Sequence, residues 1–278
     1  MFLSLSLPAL LFFFLLFTVP ESPRWLVEKH RKDHAFAVLS RILNIERAKS
    51  ALNEITLSLS NTSETGANLF KYGIGIVIIG ILLSAFQQLM GINVVLYYAP
   101  EVFKNLGAST NSALLQTIII GIINLSFTTI AIFTVDKFGR KPLQIIGAIG
   151  MAIGMISLGS AFFLKLSPLL ALVSMLLYIA SFAISWGPVC WVLLAEMFPN
   201  SIRSKALSVA VSAQWIANYL VSWTFPIMDK NSYLIQMFHH GFSYWIYGII
   251  SIIAAIFVIR FVPETKEKSL EELEALWV

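Results

Sequence analysis

Seven stretches of the chain carry no Asp, Glu, Lys or Arg: residues 1–19, 72–99, 113–135, 142–164, 168–194, 206–228 and 241–259. A helix crosses the hydrocarbon of a bilayer, about 30 Å, in about 20 residues. In most of these runs Leu and Ile occupy every helical angle instead of one stripe, which sets them apart from the core helices of a soluble protein. The pattern therefore predicts an all-α membrane protein of about seven spanning helices. Between the first two runs, residues 21–70 form the one large polar piece. Its apolar positions, Ala35, Val38, Leu39, Ile42 and Leu43, then Leu52, Ile55 and Leu59, recur at helical spacing and predict short amphipathic helices. The stretch from Asn61 to Thr65 has the composition of a solvated linker. The expected organisation is a first span over 1–20, a helical linker over 21–70, a six-helix bundle over 71–262 and a polar tail over 263–278.

Charge gives the spans a direction. Of nineteen Lys and Arg, sixteen fall on one side: Arg24 to Lys71 in the long loop, Lys137, Arg140 and Lys141, then Arg203 and Lys205, and finally Arg260, Lys266 and Lys268. Lys104, Lys165 and Lys230 fall on the other. Because cytoplasmic loops retain basic residues, the long loop and the C-terminus are expected in the cytoplasm and Met1 outside. A cytoplasmic Asn61 never meets the glycosylation machinery, so its Asn-x-Ser match is accidental. The first run lacks both the basic flank and the small-residue cleavage site of a signal peptide and is read as a span, with the beginning of a longer pattern missing before Met1.

Composition agrees with lipid as the solvent. Hydrophobic residues make up 58% and charged residues 12% of 278 positions, against about 25% charged in soluble domains, and the mean hydropathy is +0.80. One cysteine, Cys190, excludes an internal disulfide and reads as a small apolar helix residue. His30, His34, His239 and His240 form no metal-ligand pattern, so neither metal nor cofactor is expected. The spans hold no nucleophile and base pair, which argues against an enzyme.

Polar side chains inside a membrane are costly and face a partner or a water-filled cavity. The second span carries Gln87, Gln88, Asn93, Tyr97 and Tyr98, the third Asn124, the fifth Tyr178, Trp186 and Trp191, and the sixth Gln214, Trp215, Asn218 and Tyr219; the first and fourth carry almost nothing polar. Amides offer donors and acceptors to the hydroxyls of a neutral polyol, and aromatic rings suit the C–H face of a pyranose. At about 100° per residue, Gln214, Trp215 and Asn218 share one face. In the second span, with Gln87 at 0°, Gln88 lies at about 100° and Asn93 at about 240°, so a straight helix cannot aim them together. An interruption at Gly91 would re-aim them, as broken helices at transporter midplanes do. Gly187-Pro188 invites a kink between Trp186 and Trp191. Interhelical hydrogen bonding is the competing explanation, and for Asn124 and Asn218 it fits equally well. Gly150 and Gly154 have the spacing of close helix packing. Two charged clusters, Asp136 to Lys141 and Glu196 with Arg203 and Lys205, suit either a latch between bundles or a simple topology signal.

The strings PESPRWL (Pro20 to Leu26), QQLMGINVVLYYAP (Gln87 to Pro100), DKFGRKPL (Asp136 to Leu143), WGPVCWVLLAEMFP (Trp186 to Pro199) and VPETKEKSLEE (Val262 to Glu272) resemble the sugar porters of the major facilitator superfamily. The likeness runs from about Pro8 to the end and covers helices six to twelve of twelve, the first five being absent. It implies the C-terminal bundle of a proton-coupled sugar symporter, multi-pass in the bacterial inner membrane. It further implies that Gln87, Gln88 and Asn93 bind sugar hydroxyls, that Tyr97 closes over the ligand, that Trp191 stacks on the ring and that Gln214 and Trp215 complete the pocket. Asn124 and Trp186 are second-rank candidates. Asp136, Arg140, Glu196 and Arg203 correspond to the family's cytoplasmic latch. The implied partners are a monosaccharide, pentose or hexose, the lipid bilayer and a polypeptide supplying the other helices, with no nucleic acid. The proton-sensing carboxylate of such symporters lies in the first half, and the seven runs here contain none. The chain alone is therefore expected not to transport; a sugar-binding membrane subunit or a nonfunctional remnant is the alternative.

Overall fold

The computed structural model describes residues 2–61, 69, 70, 72–105, 109–199, 201–268, 272 and 273. Every regular element among them is helical: α1 (Phe2–Leu16), α2 (Pro23–Glu28), α3 (Lys32–Ile42), α4 (Ile45–Asn61), α5 (Ile74–Leu89), α6 (Ile92–Asn105), α7 (Thr110–Phe138), α8 (Arg140–Phe163), α9 (Pro168–Ile184), α10 (Trp186–Met197), α11 (Arg203–Asp229), α12 (Ser232–Phe238) and α13 (Phe242–Phe261). The linker stretch from Thr62 to Thr65, Lys71 and most of the tail beyond Lys268 lie outside the described residues.

The chain divides into two compact units, Met1–Ala67 and Asn68–Val278. In the first, Pro23 opens α2, where its missing N–H costs nothing. Leu26, Val27 and Ala35 form a small core, with Val38, Leu52 and Ile55 packed on it. Ile42 shares the apolar spacing yet is 75% exposed. It is the last residue of α3, and at Leu43 the backbone is already extended.

In the second unit α8 packs against both α9 and α13, α5 against α11, and α7 against α9 and α6. The α8 contacts are close because glycines face the neighbours. A Cβ at Gly154 would stand 2.9 Å from the Tyr178 Cβ on α9, and one on Gly248 of α13 would stand 2.7 Å from Ile156 Cγ1. Gly147 and Gly150 abut Ser185 and Ser181 in the same way. Small residues let backbones approach, the principal source of helix association in lipid.

Five helical segments among the described residues are long and apolar enough to cross a membrane: Ile74–Asn105, Leu114–Phe138, Arg140–Phe163, Pro168–Met197 and Phe242–Phe261. The other two expected spans fall short on different counts. The helix α1 has 15 residues. With 27 residues α11 is long enough, and it is the amide and hydroxyl residues along it that dilute its hydropathy. Many large apolar side chains point outward, on α7 especially (Leu115, Ile118, Ile122, Leu125, Ile132 and Phe133). A face of that extent is stable only against lipid or another protein.

Candidate binding site

Two of the long segments are interrupted. The first break lies at Met90 and Gly91, between α5 and α6. Gly91 has φ +93°, a conformation only glycine adopts without strain, and the Tyr247 ring occupies the space where a side chain would stand. The consequence is direct: Gln88 and Asn93, about 140° apart on a straight helix, meet, with Asn93 Nδ2 donating to Gln88 Oε1 at 2.6 Å.

The second break lies at Ser185, between α9 and α10, where φ is −129° and ψ −90°. It falls just before Trp186, not between Trp186 and Trp191 as the Gly-Pro pair suggested. The reason is that Pro188 withholds the N–H that the carbonyl four residues earlier, on Ile184, would accept, so the ladder fails upstream of the proline.

Between the breaks lies a cluster of amides from three helices. Gln87 of α5 is 2% exposed. Its Nε2 donates to the Trp186 carbonyl at 2.8 Å and more weakly to that of Gly187 at 3.4 Å. Its Oε1 accepts from Gln214 Nε2 of α11 at 2.7 Å and from Gln88 Nε2 at 3.5 Å. Asn93 also donates to Asn218 Oδ1 of α11 at 2.7 Å, and Ser222 donates to that same oxygen at 3.2 Å. Tyr98 reaches the Ser222 carbonyl at 3.3 Å and extends the chain along α6. One acceptor is left over: Gln214 Oε1 is buried with no hydrogen-bond partner among the described residues. Such an atom costs about 1–3 kcal/mol until a donor reaches it.

The aromatic candidates separate into two kinds. Trp186 is fully buried, and its indole N–H donates to the Gln144 carbonyl of α8 at 2.9 Å, so its ring packs inside the bundle. Trp191, Trp215 and Tyr97 are 44%, 63% and 60% exposed. Asn124, on α7, is half-buried and, among the described residues, makes no hydrogen bond to the cluster. The cluster offers neutral amide donors and acceptors, which suit hydroxyl groups, and contains no charged side chain.

A second polar site forms where α7, α10 and α13 end and α8 begins. Arg140 holds Glu196 through two hydrogen bonds, Nε to Oε2 at 3.1 Å and a terminal nitrogen to Oε1 at 2.8 Å, and contacts Asp136 at 2.9 Å. Arg203 Nε donates to the Phe198 carbonyl at 3.0 Å. Glu264, which follows α13, completes this end. Its carboxylate accepts from the Arg140 and Lys141 backbone N–H groups at 3.0 and 3.1 Å and from those of Thr265 and Lys266. It thereby caps α8, where the helix dipole favours an anion. Thr265 Oγ1 donates to Glu196 Oε2 at 2.5 Å.

Three features escaped the sequence reading. Glu264 and Thr265 lay inside a recognised string without any local sign of a cap. Gln144, a lone amide in a span read as structural, is fully buried, with neither side-chain polar atom partnered among the described residues. At the opposite end Asp229 accepts from Asn105 at 3.4 Å and lies 2.9 Å from His240 Nδ1, a pairing no local pattern announces.

An all-helical bundle with five membrane-length segments, two of them interrupted beside buried amides, has the build of a multi-pass membrane protein, with helices broken as they are at the midplane of transporters. The chain belongs to the family described as Sugar (and other) transporter, which it matches over residues 1–277. It is 64% identical over 277 residues to the D-xylose-proton symporter of Escherichia coli (strain K12), covering 100% of this chain and 56% of that one. It is 48% identical over 273 residues to the glucose facilitated diffusion protein of Zymomonas mobilis subsp. mobilis, covering 96% and 56%. The solved proton:xylose symporter XylE bound to 6-bromo-6-deoxy-D-glucose superposes with a TM-score of 0.85 at 63% identity, over 99% of this chain and 58% of that one. The inward open xylose transporter XylE from E. coli gives 0.77 at 59% identity, over 98% and 55%. The chain thus spans about half the length of the curated relatives it matches.

Proposed function

We propose that the chain is the sugar-binding C-terminal bundle of a transporter similar to a D-xylose-proton symporter, seated in a bacterial inner membrane with its basic loops and C-terminus in the cytoplasm. The observation that carries this reading is the unpartnered Gln214 Oε1 inside a cluster of otherwise satisfied amides. A sugar hydroxyl supplies the donor it lacks. In this reading Gln87, Gln88, Asn93 and Gln214 hold hydroxyls, Trp191 and Trp215 present their exposed rings to the sugar, and Tyr97 covers it. Asn124 and Trp186 are left as supporting positions. Arg140, Glu196 and Asp136 form a latch that opens and closes with the bundle, with Arg203 steadying the α10–α11 turn.

Quenching of tryptophan fluorescence by D-xylose and D-glucose tests the site. Saturable quenching that disappears in Gln214→Leu supports it. Absence of quenching by either sugar, from a chain shown to be helical and monodisperse, sinks it.

One observation favours a second reading, a sugar-binding subunit without proton coupling: the seven apolar runs contain no Asp, Glu, Lys or Arg, and a proton relay needs an ionisable group within the membrane. Proton-coupled xylose uptake by membranes carrying only this chain rules that reading out.

A further inference from the structure

Backbone hydrogen bonds at the α5–α6 break identify the group that needs help from elsewhere. In a continuous helix the Met90 carbonyl would accept from the N–H of Val94. Here Val94 and Val95 both donate to the Gly91 carbonyl, at 3.1 and 3.3 Å, while the Met90 and Gly91 N–H groups bond back to Phe86 and Gln88. The Met90 carbonyl has therefore left the ladder, in a residue that is fully buried. No water or lipid donor reaches such a place, and an unsatisfied backbone carbonyl there is costly.

The donor comes from α9. The Tyr178 hydroxyl bonds the Met90 carbonyl at 3.0 Å, and Tyr178 is itself fully buried. Gly154 of α8 leaves the Tyr178 backbone the room to sit this close, and the Tyr247 ring of α13 covers Gly91. A phenylalanine at position 178 would fill the same volume; only the hydroxyl addresses the carbonyl. In the reverse direction Gln87 of α5 donates to the Trp186 and Gly187 carbonyls at the start of α10. Each interrupted helix holds the other at its break.

We propose that Tyr178 is a positioning residue for the amide cluster: by holding the Met90 carbonyl it fixes the angle between α5 and α6, and with it the placement of Asn93 against Gln88 and Asn218. The effect on sugar rests on the sugar-site reading above; the effect on the break does not.

The test uses the full purified chain and Tyr178→Phe, with hydrogen exchange resolved along the chain in the absence of sugar and D-xylose binding followed by tryptophan quenching. Loss of one buried hydrogen bond predicts amide exchange about tenfold faster over residues 91–95, with α8 unchanged, and xylose affinity about tenfold weaker. In the sugar-free chain, Asn93→Ala added to Tyr178→Phe should speed exchange over residues 91–95 by less than about twofold more, because the two hold one break. Exchange over 91–95 that stays at the wild-type rate, or that rises equally in α8, overturns the proposal, as do effects of the two substitutions that simply multiply. If the wild-type chain binds no xylose while the local exchange effect appears, the sugar reading fails and the brace at the break stands.

Discussion

Gly91→Ala is the sharpest perturbation of the fold. Two costs add at this position. At φ +93° an L-side chain sits in left-handed backbone, at about 1–2 kcal/mol. The new methyl would also stand 2.8 Å from Cγ and 2.9 Å from Cδ2 of Tyr247. Cγ is the root of the ring, so it cannot swing aside; displacing it moves α13 or distorts α6, and such overpacking costs about 1–3 kcal/mol. The expected loss is about 2–5 kcal/mol. The control is Gly75→Ala on α5, where a Cβ meets nothing within 4 Å and φ is not positive; helix propensity alone makes it neutral or stabilising by up to about 1 kcal/mol. Reversible unfolding in mixed micelles, followed by circular dichroism, compares the two. If Gly91→Ala and Gly75→Ala unfold at the same denaturant fraction, the break is not the constrained feature described here.

Other substitutions isolate single contacts. Arg140→Ala strips Glu196 of two charged hydrogen bonds in a part-buried site and should cost about 2 kcal/mol in the same unfolding assay, whereas Asp136→Ala, whose carboxylate is 77% exposed, should cost less than about 0.5 kcal/mol; equal losses would discredit the ranking. Glu264→Ala removes the acceptor for four backbone N–H groups and should cost about 1–2 kcal/mol, as a lost helix cap does; Glu264→Gln, which keeps one oxygen, should recover part of that. Gln214→Leu removes an unpartnered acceptor along with a donor to Gln87, so unfolding should shift by less than about 1 kcal/mol while sugar quenching disappears; quenching that persists would remove Gln214 from the site.

The parts of this molecule that were legible beforehand depend on what a local rule can reach. The long apolar helices follow from runs without charge, and the α5–α6 break from a glycine between amides that no straight helix could align. The second break was anticipated one turn too late, because a proline acts on the carbonyl four residues before it; nor does spacing tell that Trp186 is buried on the Gln144 carbonyl while Trp191 is exposed. The cap by Glu264 and the bond of Gln214 to Gln87 join residues 124 and 127 positions apart, a relation that composition and spacing do not encode.

That last bond bears on how the cluster works if it is a sugar site. A hydroxyl arriving at Gln214 Oε1 satisfies an atom that has no partner and breaks nothing. One arriving at Gln87 Nε2 must displace the Trp186 carbonyl, and one at Asn93 Nδ2 must compete with Gln88 and Asn218. Exchanging one neutral hydrogen bond for another changes the free energy little, whereas filling an orphaned acceptor recovers about 1–3 kcal/mol. Affinity should therefore concentrate at Gln214, with Gln87 acting mainly to orient it, and contacts to Asn93 should add little while α6 is held against α5. Recognition then depends on the break being held, since the amides that hold it leave the one acceptor free for a hydroxyl.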